Sequence, residues 1–145
     1  MHSFVLQDFI TIRGATTQTT INQSEHEWLD LGPYEDLIAW IDVREITTGG
    51  ATNVQFNLQT APVKDELLFV NMQASPLTAT GPVTGTNMVQ KILLSQNPQV
   101  PVGRWVRWQL VLNGTATAAW DAVFRILLCA NSVGGAAGMG RGGMR

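Results

Sequence analysis

The segment Ser24-Glu25-His26-Glu27-Trp28-Leu29-Asp30 places three carboxylates and an imidazole within six residues. Those groups are the usual material of metal centres and of acid–base catalysis. Their spacing works against a shared centre. On an extended strand Glu25 and Glu27 face one way and His26 the other, so the segment reads as a solvated strand edge. The other histidine is His2, and neither belongs to a nucleophile motif such as GxSxG. Cys129 closes an apolar run with no neighbouring cation to activate a thiolate, and reads as a small core hydrophobe. Glu35 and Asp36 fall in a turn begun by Gly32-Pro33, where acids are expected. Asp42 is the one acid with apolar strand neighbours, whereas a glycosidase needs two carboxylates across a cleft. The expectation is a protein that is not an enzyme, with no catalytic residues, no metal and no cofactor.

The aromatic and basic residues suggest contact with a partner. Trp40 and Trp105 fall on the outward faces of strand patterns, and Tyr34 lies in a turn. Arg104 and Arg107 flank Trp105, which could stack on a partner's arm or on a sugar. Trp105 and Arg107 are therefore candidate face contacts. A carbohydrate-binding β-sandwich module using Trp40, Tyr34 or Trp105 is the alternative function. The bases of the second half are too scattered for nucleic acid, and only "GRWVRW" interleaves them with aromatics.

The chain has 145 residues, enough for one self-sufficient core. Charged residues make up 14%, well below the ~25% usual in soluble domains. Residues 1–66 hold ten acids against three bases, a net of −7; residues 67–145 hold six bases against one acid, a net of +5. That asymmetry reads either as pairing inside one fold or as head-to-tail complementarity between subunits. One cysteine excludes an internal disulfide framework. "MHSFVLQDF" lacks the features of a signal peptide, and no window approaches the ~20 apolar residues of a membrane span. A soluble protein made in a cytoplasm is expected.

The elements that must carry these residues have a period of two. Val54, Phe56 and Leu58 alternate with Asn53, Gln55, Asn57 and Gln59. The same holds in "LIAWIDVREI", "RWVRWQLVLN" and "AWDAVFRILLCA". Further strands are expected over 4–13, 26–31, 67–73 and 88–95, with turn chemistry between them and no helix. The expected fold is all-β: a single β-sandwich, a jelly roll of about eight antiparallel strands, with Trp28, Trp108 and Trp120 in its core. The domain should span 1–133, followed by a Gly-rich arm over 134–145, "GGAAGMGRGGMR". Such an arm cannot build a core. It can lie along a neighbour with Met139, Arg141, Met144 and Arg145 as its contacts, and the N-terminal "MHSFVLQDF" could act as a second arm.

The layout, together with "EWLDLGPYEDLIAWIDVREI" and "VQFNLQTAPVKDELLFV", resembles small jelly-roll structural proteins of tailed phages, including capsid decoration and auxiliary head proteins. The resemblance implies a virion protein made in the host cytoplasm. Its partners would be sister subunits and a protein lattice, the major capsid protein. It further implies a homo-oligomer such as a trimer, with no nucleic acid or membrane partner.

Overall fold

The computed structural model describes residues 1–72, 76–80, 88–93 and 102–132, with 88–93 as backbone. In chain order the strands are β1 (His2–Gly14), β2 (Thr20–Asn22), β3 (Leu29–Asp30), β4 (Tyr34–Thr47), β5 (Asn53–Ala61), β6 (Val70–Asn71), β7 (Leu77–Ala79), β8 (Met88–Leu93), β9 (Trp105–Asn113) and β10 (Trp120–Ser132). Single 3-10 turns lie at Glu25–Glu27 and Glu66–Leu68.

Two antiparallel sheets result. The first has the order β1-β10-β4-β8. In the second, β9 and β5 are central, β2 and β3 follow each other along the outer edge of β9, and β6 and β7 along the outer edge of β5. Counting each split edge as one strand leaves eight strands in two sheets of four. The chain changes sheet at every connection except that from β5 to β6. This is the jelly-roll order.

The alternation in the sequence builds this directly. Along β10, Trp120, Ala122, Phe124, Ile126, Leu128 and Ala130 are buried, while every residue between them is partly exposed. Phe124 meets Phe56 of β5 and Trp108 of β9 edge-on, each at 5.2 Å between ring centroids. The core lies between the sheets and includes Trp108 and Trp120; Trp28 is buried as well, but against Phe69 and Arg107 outside that cluster. Splitting both edges of the second sheet leaves only short strands at its rims, whereas the long strand β1 forms an edge of the first sheet.

Several elements differ from the periodicity. Residues 25–27 wind into a 3-10 turn, because Ser24 and Glu25 carbonyls accept from Glu27 and Trp28 amides (3.0 and 3.3 Å). Of the strand expected over 26–31 only Leu29–Asp30 pairs with β9, and β2, within a Thr-rich stretch that offers one apolar residue, supplies the rest of that edge. Leu67 and Leu68 likewise sit in a turn, not a strand, since Asp65 caps it through the Leu67 amide (3.0 Å). The N-terminal segment is not an arm. It is β1, paired with β10 from His2 onward. Residues 134–145, and with them Met139, Arg141, Met144 and Arg145, lie outside the described residues.

One end of the sandwich is held by Gly49. Its carbonyl accepts from the Thr117 and Ala118 amides (2.8 and 3.1 Å), locking the β4–β5 turn to the β9–β10 loop. Gly49 has φ +61°, and a Cβ there would drive into the Ala118 carbonyl. Gly49→Ala should therefore destabilise the fold by about 2 kcal/mol, read as a lower urea midpoint at unchanged m-value. An unchanged midpoint would show that this turn tolerates a side chain.

Candidate functional site

With the inner rows spent on the core, interaction chemistry must sit on the outer faces and the connections. The outer face of the second sheet is a plate of linked amides. Asn113 donates to Asn53 (2.8 Å) and Gln55 (3.1 Å), Gln55 to Asn57 (2.7 Å), and Asn57 to Gln109 (3.0 Å). Gln59 donates to Gln109 (3.2 Å) and Asn71 (3.0 Å), and Gln109 to Asn22 (2.9 Å). Each amide spends its donors or acceptors on a neighbour, so the plate is polar yet largely self-satisfied.

Arg107 lies at one end of that plate and is only 4% exposed. Its Nε donates to Gln59 (2.9 Å), and one terminal nitrogen reaches Glu66 (3.3 Å). Its guanidinium lies over the rings of Phe69 (4.2 Å) and Trp28 (5.4 Å). Burial pushes its pKa below the usual arginine value, against the pull of Glu66. The structure thus places Arg107 within its own fold, beneath the β5–β6 connection. Trp105, half-buried, carries Lys64 Nζ at 5.1 Å and Arg104 at 5.9 Å from its ring. Cations already attend its π-system. Arg104 in turn pairs with Asp30 (2.8 Å), whose carboxyl it holds below the ordinary range, chiefly through hydrogen bonds. That contribution persists to acid pH and is lost as pH falls through the lowered value; being exposed, it is small. Trp105 and Arg107 point to one face, but only Trp105 offers surface. Tyr34 is packed edge-on by His2 (5.2 Å) and Phe4 (4.8 Å).

The outer face of the first sheet has a different character. Val5, Leu127 and Trp40 stand side by side across β1, β10 and β4. With Ser3, Phe4 and Cys129 they line a shallow recess of about 410 Å³. Cys129 is thus a partly exposed outer-face residue and not the core residue expected; the strand's alternation turns it outward next to buried Leu128 and Ala130. Beside the recess, Asp42 is 4% exposed and is shared by two arginines. Arg44 binds it through two nitrogens (2.8 and 2.9 Å) and Arg125 through Nε (3.0 Å). Both guanidiniums lie over the half-exposed ring of Phe9, at 5.1 and 4.8 Å.

A second apolar surface is the β5–β6 connection. Leu67 is 91% exposed, and Val63, Leu68 and Val70 are exposed around it. Period-two reading had assigned these leucines to a strand. The adjacent pair Leu67-Leu68 directly after Asp65-Glu66 was the available signal for an exposed turn. The acidic group at Glu25, His26, Glu27 and Asp30 does not converge, and no metal-ligating cluster occurs among the described residues.

No protein-family model and no curated protein matches the chain. Solved structures do. The infectious bursal disease virus Gt strain structure aligns with TM-score 0.58 at 12% identity, over 92% of this chain and 32% of that one. The VP2 subviral particle of the same virus gives 0.56 at 10% identity, with the same coverage. The T=1 particles derived from it give 0.53 at 11%, again with that coverage. The chain spans about a third of the length of each of these three structures. At these identities the likeness is one of fold.

Arg107 carries a direct test of the second sheet's architecture. Arg107→Ala should cost about 2–4 kcal/mol in urea unfolding, because it leaves the side-chain carbonyl of buried Gln59 without its donor and opens a gap beneath Phe69. Arg107→Lys should recover little, since an ammonium cannot lie flat on the ring while meeting both acceptors. Full recovery by lysine would reduce the residue to a simple charge.

Proposed function

We propose that the protein is a non-enzymatic structural component of a virus particle, a decoration or stabilising protein of a tailed-phage head. The observation that carries this reading is the complete jelly roll shared in fold with virus-particle structures. The surfaces support it too. Two apolar patches face outward on a weakly charged molecule, as expected where neighbouring subunits supply cover. In this reading the chain binds the lattice of the major capsid protein and its own copies as a small symmetric cluster such as a trimer. It acts in the virion.

The mechanism is surface burial repeated over a lattice. Each contact is modest, and many copies on one shell multiply it. Residues 134–145 act as an extended arm onto a neighbour. Met139 and Met144 supply adaptable apolar plugs, and Arg141 and Arg145 supply charge. Trp105 contributes at the rim of the amide plate, and Arg107 acts by holding the plate and the β5–β6 connection in shape.

The test is co-sedimentation with phage heads, together with mass by light scattering. The intact chain should pellet with particles and form an oligomer in solution. Deleting 134–145 should weaken particle binding by about tenfold or more while leaving the thermal midpoint unchanged. A monomer that never pellets with any particle would refute the shell role. Unchanged pelleting after the deletion would remove the arm from it.

A further inference from the structure

The two outward apolar patches are matched in chemistry. One is a recess and the other a projection, and each has a charge beside it. The recess at Val5, Trp40 and Leu127 is lined mainly by apolar side chains. Ser3 Oγ and Cys129 Sγ are hydrogen-bonded to each other (3.4 Å). Its occupant should therefore be an apolar side chain. The neighbouring row carries Asp42 facing Arg125 in register, two residues from Trp40 and Leu127, or about 7 Å along the strands. Two guanidiniums around one carboxylate leave that row one positive charge in excess.

The projection is the Leu67-Leu68 turn. Leu67 is 91% exposed, and its conformation is already fixed. Asp65 Oδ1 accepts from the Leu67 amide (3.0 Å), and the Asp65 carbonyl accepts from the Leu68 amide (3.1 Å). A preformed turn loses little entropy on docking. Asp65 itself is exposed, two residues from Leu67. Its neighbours are occupied, Lys64 over Trp105 and Glu66 with Asn22 (3.1 Å) and Arg107 (3.3 Å). The tip thus presents a leucine beside a carboxylate, and the recess presents an apolar hollow beside surplus positive charge.

We infer that the Leu67-Leu68 turn of one copy docks in the Val5–Trp40–Leu127 recess of another copy, with Asp65 facing the Arg44–Arg125 pair. The two patches lie on different sheets of one sandwich, so the contact is head-to-tail, and it repeats around a ring or along a row. The inference rests on the assembly reading only in that copies meet; it adds which surfaces do so.

Cys129, the sole cysteine, lines the recess and serves as a reporter. A Leu67→Cys/Cys129→Ser chain mixed with the unmodified chain and mildly oxidised should give a covalent one-to-one dimer. Neither chain alone should. A dimer of the double variant with itself would mean a tip-to-tip contact and overturn the inference. So would absence of the mixed dimer, or a disulfide from Cys129 to Met139→Cys, which would make residues 133–145 the occupant. Leu67→Ser should weaken self-association by about tenfold without shifting the melting curve, because the side chain is exposed; an unchanged association would also overturn it. Particle pelleting of the unmodified chain reports on the shell role separately. A chain that pellets but forms no mixed dimer keeps that role and loses this contact.

Discussion

Phe124 is the residue on which the two sheets close. It stands on β10, a central strand of the first sheet, and its ring meets Phe56 and Trp108 from the two central strands of the second. Edge-to-face contact at 5.2 Å suits the ring quadrupoles. Trp108 extends the link, since its indole N–H donates to Gln7 on β1 (2.9 Å). The register of β1 shifts between Val5 and Gln7 and again between Gln7 and Ile10, where the strand must serve both sheets. Gln23 completes the bracing. Its side chain donates to the Leu6 carbonyl (2.8 Å) and accepts from the Trp108 amide (3.2 Å). With the inner rows committed in this way, every remaining chemical option lies outside.

The two outer faces resolve that constraint differently. On the second sheet the outer row is amide after amide, with Asn57 and Gln59 themselves buried, and cross-strand hydrogen bonds satisfy them internally. Such a face has little left to offer a ligand that water does not already take. On the first sheet the Val5–Leu127–Trp40 row is apolar across three strands, whereas further along the same face stand Asp42 with Arg125, then Thr11 and Glu45 beside Val123, and Arg13 beside Asp121. Burying it against another molecule releases water from apolar area at roughly 25 cal/mol per Å². The two outer faces therefore differ: one carries an amide network satisfied within itself, the other an apolar row open to cover.

The sheet cores were legible because period two needs only local sequence. The burial of alternate residues in β10 follows the sequence pattern, as do the inward rows of β5 and β9, although β5 is buried on both faces from Phe56 to Ala61 and β9 also buries Arg107. The split edges were not legible. β2 and β7 are three-residue strands whose pairing is fixed by β9 and β5, many residues away, and Thr20-Ile21-Asn22 carries too little apolar signal to declare itself. Cys129 shows the same limit at one residue. An apolar neighbourhood in sequence suggested the core, yet alternation from Phe124 outward assigns it to the exposed row. Arg107 lay on the expected face, but its burial depends on Phe69 and Trp28 folding over it, contacts that no strand pattern encodes.

The charge asymmetry along the chain acquires a physical meaning from the pairs. Asp30–Arg104, Asp42–Arg125 and Glu66–Arg107 each join an acid of the first half to a base of the second. Much of the apparent opposition between halves is therefore spent inside one subunit, as antiparallel pairing between distant strands requires. What is left over is small and local. A surface this thin in charge cannot draw partners together by long-range steering, and salt would screen most of what it has. The association proposed above would then rest on apolar area, with single charges setting orientation. Contacts of that kind are individually weak and become decisive only when geometry repeats them.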